Sequence, residues 1–402
     1  MKLSDIRNDF PVMRKGRYVY LDSACQSLRP DCVIRAMTEY YEDYPACGGR
    51  SVHSMSTRVS MGTDDAREKL ASFFGTDDPD CYIFTKNCTD GINTVANGFR
   101  FGKGDVVVTT DTEHNSNHLP WLLLAERTGV GRRMTTSDTY GEFDIESFKN
   151  VMGRDVKLVS VQHASSVTGC VTPVKEIAEI AHDFGAKVMI DAAQSVPHFR
   201  LDLEDLDVDF LSFSVHKTMG PSGMGVLYGR RESLEELRPF VAGGGTVGVS
   251  TYTRATMAPI PDRFEAGLNN YSGIIGTKVA LDYIDSIGFD LIGSHDRELM
   301  RMIFRETEDI KGLSIVGPED PDRRCGAFTF NLGGLLSHDV AMMLDNMDGI
   351  LIRSGMHCTH PFYESRGIAG GARASTYVYN DTGDIVRFAS ALRKISETFC
   401  TH

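Results

Sequence analysis

Short apolar runs alternate with amphipathic stretches through the first two thirds of the chain. Tyr82–Thr85, Asp105–Thr110, Lys157–His163, Lys187–Asp191, Phe210–Ser214 and Gly223–Tyr228 are rich in Val, Ile and Phe and bounded by Gly or Asp, which predicts strands. Between them, Thr89–Asn97, His118–Glu126 and Val174–Phe184 read as helices. In the last, Val174, Ile177, Ala178, Ala181 and Phe184 recur at spacings of three and four, the apolar face of a helix. Strands alternating with helices predict an α/β fold whose mainly parallel sheet is covered on both faces.

The pattern changes near residue 285. A helical stretch at Ser286–Lys311 leads to a strand at Ala327–Leu332, a helix at Ser337–Asn346, and a strand at Ile350–Arg353. A Gly-rich loop, Gly367–Gly371, and a last helix over Asp384–Phe399 follow. The expected organisation is a large domain over residues 21–285 and a smaller α+β domain built from 1–20 and 286–402. A chain of 402 residues is long enough for both to have cores of their own.

Composition narrows the function classes. Asp plus Glu number 55 against 42 Lys plus Arg, a net charge of −13, so neither nucleic acid nor an anionic membrane is an expected partner. No apolar run approaches the roughly 18 residues of a membrane span. The charged start Met1-Lys2-Leu3-Ser4-Asp5-Ile6-Arg7 does not read as a signal peptide. The nine cysteines are odd in number and form no C-x-x-C pair, which predicts reduced, mostly buried thiols and a cytoplasmic location.

The chemistry concentrates at strand ends. Phe213-Ser214-Val215-His216-Lys217 follows one strand, and Val188-Met189-Ile190-Asp191-Ala192-Ala193-Gln194 closes another. A lysine in such a loop is often merely solvated. Parallel α/β sheets, however, hold ligands at the carboxyl ends of their strands, where this amine and carboxylate can face one ligand. Pyridoxal phosphate requires that pair, a lysine for its Schiff base and an acid for its ring nitrogen. It also requires an anion site. Thr85-Lys86-Asn87-Cys88-Thr89-Asp90-Gly91 opens a helix, where free N–H groups attract phosphate, although Thr89 taken alone reads equally as a plain cap. His114 after the next strand can lie over a planar ring or serve only as a hydrogen-bonded structural residue.

Taken in order, these motifs make the chain similar to fold-type I pyridoxal-phosphate enzymes. It resembles aminotransferase class V, and within it the Suf-type cysteine desulfurase and selenocysteine lyase group. The likeness extends through Tyr20-Leu21-Asp22-Ser23-Ala24, Glu113-His114, His118-Leu119-Pro120-Trp121, Arg263-Phe264-Glu265-Ala266-Gly267, Ile274-Ile275-Gly276, Arg353-Ser354-Gly355-Met356-His357-Cys358 and Arg373-Ala374-Ser375. The resemblance implies that Lys217 forms the Schiff base, Asp191 pairs with the ring nitrogen, and His114 stacks on the ring. Gln194 would hydrogen-bond the phenolic oxygen, beside Ser166, and Thr89, Ser214 and His216 would hold the phosphate.

The resemblance further implies that Arg373 clamps the substrate carboxylate, with Arg353 nearby and His53 in a segment that approaches the site of a neighbouring subunit. A homodimer is expected on the same ground. Cys358 stands at the persulfide-forming position, which implies L-cysteine as substrate, L-alanine as product, and a protein acceptor that takes the sulfur onward for iron–sulfur or thio-cofactor assembly. L-Selenocysteine, or another amino acid handled by a class V aminotransferase or epimerase, is the alternative. Three places depart from the family's habit: Ser166 stands for Asn, Leu268 for Thr, and Ser54 and Ser56 for the usual Arg and second His. His357, Cys358 and His360 are packed too closely for the usual paired zinc ligands, and no metal is expected.

Overall fold

The computed structural model describes residues 3–400. Its centre is a seven-stranded sheet of β1 (Tyr82–Thr85), β2 (Val106–Thr110), β3 (Gly131–Thr135), β4 (Val156–Gln162), β5 (Lys187–Asp191), β6 (Phe210–Ser214) and β7 (Gly225–Gly229). The spatial order is β1-β7-β6-β5-β4-β2-β3, and only β7 runs against the others. β2, β6 and β7 are buried at every position, as a sheet covered on both faces demands. The covering helices include Cys88–Gly98, Asn115–Thr128 and Val174–Asp183.

A second sheet follows the order β8-β9-β11-β10 and is antiparallel throughout: β8 (Leu313–Val316), β9 (Ala327–Leu332), β10 (Arg353–Gly355) and β11 (Gly371–Ser375). It builds its own core from Phe328, Phe330, Leu344, Phe388 and Leu392. The N-terminal segment contributes to both cores: Ile6, Phe10 and Met13 pack with the large one, Val19 and Leu21 with the small one.

The expected strands Lys187–Asp191, Phe210–Ser214 and Ala327–Leu332 have the same bounds in the fold. Three expectations need correction. The helix placed at Ser286–Lys311 is two helices, Tyr271–Ile287 and Phe289–Thr307, separated by Gly288 at φ 87°. That left-handed conformation breaks the helix and favours glycine. The strand placed at Ile350–Arg353 is also two: Ile350–Leu351 pairs in parallel with Val19–Tyr20, whereas β10 pairs with β11. The Gly-rich loop gives up its last residue, Gly371, to β11.

Candidate active site

Parallel register aligns the strand ends that matter. Gln162 is the partner of Asp191 across β4 and β5, and Asp191 is the partner of Ser212 across β5 and β6. The short helical turn Val215–Lys217 follows β6 directly. Asp191 and Lys217 therefore line one cavity, together with Thr89, His114, Ser166, Gln194, Ser214, His216, Arg353, Cys358 and Arg373. Every site residue expected from the sequence lies there except His53. The His53 side chain is exposed and caps the helix Ser54–Phe74, its Nδ1 accepting from the Ser56 amide at 3.3 Å. Within its own chain His53 does not reach the cavity.

The Lys217 amine is pulled below its ordinary pKa by burial, against the opposing field of Asp191. Asp191 Oδ1 accepts from the Ala193 amide at 3.0 Å and from the Cys88 thiol at 3.2 Å. Burial beside this carboxylate pushes the Cys88 thiol well up, so it stays a donor. His114 caps the helix Asn115–Thr128, its Nδ1 accepting from the Ser116 amide at 3.1 Å. Burial and the Lys217 charge lower its pKa to about 4, leaving a neutral ring at physiological pH.

The anion cradle is built on the helix Cys88–Gly98. Asn87 caps it by accepting from the Asp90 amide at 2.9 Å, and Ser214 Oγ accepts from the Cys88 amide at 2.9 Å. Thr89 Oγ1 lies 2.7 Å from Ser116 Oγ. Gly225 lets this loop approach β7, because an added Cβ would stand 2.4 Å from the Asn87 backbone. His216 is held near pKa 4 by burial and by the Lys217 charge, so it offers a neutral ring to the same region. A helix N-terminus, two hydroxyls and an imidazole form a donor set suited to phosphate. With the amine of Lys217 and the acid of Asp191 beside it, the site fits pyridoxal phosphate.

Arg353 and Arg373, which line the same cavity, are directly paired across β10 and β11. Like charges opposed in this way destabilise a sheet unless an anion compensates them. Asp22 Oδ1 lies 3.3 Å from Arg373 Nη2, Arg373 Nη1 donates to the Ser166 carbonyl at 2.8 Å, and Nε has no partner. The pair is matched to a carboxylate ligand. Gln194 Nε2 donates to the Ala24 carbonyl at 2.8 Å, which holds its side chain along the cavity wall.

Cys358 is half-buried on a turn where His357 and Cys358 have φ of 50° and 58°. Two consecutive non-glycine residues in the left-handed region constitute local strain, a condition characteristic of reactive loops. The Asn115 amide donates to the Cys358 carbonyl at 2.7 Å and anchors the turn. His357 Nδ1 lies 2.8 Å from the Tyr363 hydroxyl, and His360 Nδ1 lies 3.0 Å from Asn115 Nδ2, so these imidazoles are engaged with different partners. Burial and the two arginines lower His357 to about 2.

Sequence reasoning missed Cys25, Asn87, Ser116 and Gln162 as lining residues. Asn87, not Thr89, is the cap of the helix Cys88–Gly98, which corrects the reading of Thr89 as a plain cap. Cys25 carried no signal: it lines the cavity, and its Sγ accepts from Arg353 Nη1 at 2.8 Å.

A sequence model of the aminotransferase class-V family matches residues 19–388. The chain belongs to this family. It is 37% identical over 406 residues to a probable cysteine desulfurase of Halalkalibacterium halodurans, covering 99% of both chains. It is 35% identical to a cysteine desulfurase of Haloferax volcanii, covering 98% of this chain and 97% of the relative. Among solved structures it superposes with a TM-score of 0.94 on the apo cysteine desulfurase of Thermococcus onnurineus NA1, at 35% identity and 99% coverage of both.

Proposed function

We propose that this protein is a pyridoxal-phosphate-dependent cysteine desulfurase that converts L-cysteine to L-alanine and takes the sulfur onto Cys358. One observation carries the reading. A buried amine and acid, an anion cradle, an opposed arginine pair and a thiol on a strained turn all face a single cavity.

When bound, pyridoxal phosphate supplies an electron sink for the charge developed at the substrate α-carbon. Thr89, Ser214 and His216 would hold its phosphate, and Asp191 would pair with its ring nitrogen. His114, neutral at working pH, would stack on the ring, and Gln194 and Ser166 would bind its phenolic oxygen. Lys217 would attach the cofactor and move the α-proton, a task helped by its lowered pKa. Arg373 and Arg353 orient the substrate carboxylate. The Cys358 thiolate then bonds to the γ-sulfur as the carbon–sulfur bond breaks, the electron pair staying with carbon, which is protonated. The balance is L-cysteine plus Cys358–SH giving L-alanine plus Cys358–S–SH.

The persulfide passes to a protein acceptor for iron–sulfur cluster or thio-cofactor assembly in the cytoplasm. Among the described residues, no helix is long and apolar enough to cross a membrane. A homodimer completes the site, with His53 directed to the neighbour. The exposed hairpin of Val247–Ser250 and Ala255–Met257, where Val249 is 63% and Tyr252 110% exposed, supports burial by a second copy, as does Leu268 at 65%.

The test is Cys358→Ala. Its cofactor absorbance should persist, because the thiol does not hold the cofactor, while alanine release from cysteine should nearly vanish. The loss should fall on kcat rather than KM, because the arginines remain. Desulfuration of cysteine at the native rate would overturn the proposal. Residual turnover confined to selenocysteine would still agree with it, because selenium leaves more readily.

A further inference from the structure

Besides Cys358, the cavity contains a second half-buried thiol that the reaction above does not use, Cys25. Its Sγ accepts a hydrogen bond from Arg353 Nη1 at 2.8 Å, the same arginine that opposes Arg373 across the sheet. Both arginines also act on His357, the residue before Cys358. Arg373 is 3% exposed, and its Nε has no partner. The two sulfurs thus share one cavity and one cationic surround.

A thiol held against a guanidinium in the same cavity as a persulfide is placed for sulfur exchange, in which a thiolate attacks the sulfur–sulfur bond. We propose that Cys25 is a second sulfur-carrying residue that takes the sulfane sulfur from Cys358, a proposal that rests on the desulfurase reading. The Cys25 thiolate attacks the outer sulfur of Cys358–S–SH. The Cys25–sulfur bond forms, the Cys358–sulfur bond breaks, and its electron pair leaves on Cys358 as thiolate, which recovers a proton. Nothing is oxidised or reduced overall, and no further reactant is needed. Cys358 is then free to accept sulfur from a second cysteine before any external acceptor arrives.

The consequence is a count. Holoenzyme mixed rapidly with L-cysteine, without reductant or acceptor, should release a burst of about two alanines per subunit, a twofold excess over one sulfur-carrying thiol. Cys25→Ser should halve that burst. Non-reducing peptide mapping with an alkylating probe should find persulfide on both Cys25 and Cys358 in the native protein. In Cys25→Ser it should be on Cys358 alone, and in Cys358→Ala on neither.

A burst of one with persulfide on Cys358 only would overturn the relay and leave the desulfurase reading intact. Absence of persulfide from Cys358 would overturn that reading itself, and the relay with it. A Cys25–Cys358 disulfide with release of sulfide would show attack on the inner sulfur and overturn the relay. Serine at position 25 sustaining the full native burst would likewise overturn it, because serine can position Arg353 but cannot carry sulfur.

Discussion

Replacing Glu265 with Ala should destabilise the protein by about 4 kcal/mol, because it leaves a buried guanidinium without its counter-charge. Arg67 Nη2 lies 2.8 Å from both oxygens of Glu265, and the two side chains are 8% and 2% exposed. The Glu265 carboxylate also accepts from the Phe84 amide at 2.7 Å and from Asn269 Nδ2 at 3.0 Å. Breaking a buried pair by removing one partner costs about 3–5 kcal/mol. The orphaned Phe84 amide, at about 1–3 kcal/mol, belongs to the same loss and places the expectation in the middle of that range. Across 402 residues, an unfolding entropy of roughly 2.1 cal/mol/K per residue converts this to a fall in Tm of about 5 °C.

Urea unfolding followed by circular dichroism, at fixed protein concentration, measures the change. Arg67→Met combined with Glu265→Leu should be less destabilised than either single substitution, because no buried charge is left alone. Disrupting the exposed Arg14–Asp31 pair should leave Tm unmoved. A loss under about 1 kcal/mol for Glu265→Ala would refute the argument, since the guanidinium would then have found water or another partner. Phe84 precedes the loop into the anion cradle, so weaker cofactor retention should accompany the lost stability.

Three other outcomes are expected. Borohydride treatment of the yellow holoenzyme should fix the chromophore to the peptide containing Lys217, and label on a different lysine would undo the assignment of the whole cavity. His182 bonds Asp209 at 3.0 Å, and that bond raises its pKa above 6.5. Its contribution to stability is fully present below pH 6.5 and is lost as pH rises through the higher folded value, so His182→Ala should remove the fall in stability between pH 6.5 and that value, as read from urea midpoints. Sedimentation should find a dimer, and a fully active monomer would remove any role for His53 at a neighbouring site.

Strands β5 and β6 were legible because Val, Met, Ile and Phe runs bounded by polar residues can hardly be anything but buried strands, and they brought Asp191 and Lys217 with them. β3 was not. Gly131-Arg132-Arg133-Met134-Thr135 sits at the sheet edge, half-buried, and has no apolar run to betray it. β11, Gly371-Ala372-Arg373-Ala374-Ser375, is buried at every position but is made of small residues and one arginine, so neither periodicity nor bulk marked it. Cys25 was invisible for another reason. Its partner Arg353 lies 328 positions away, and only folding reveals that this thiol faces a cation.

The most direct test of the account is product analysis with L-cysteine and a thiol reductant, quantifying alanine, sulfide, pyruvate and ammonia together. The cavity assigned to Lys217, Asp191, Arg373 and Cys358 predicts alanine and sulfide in equal amounts, abolished in Cys358→Ala. Pyruvate and ammonia in place of alanine, or alanine formation that does not depend on Cys358, would contradict it.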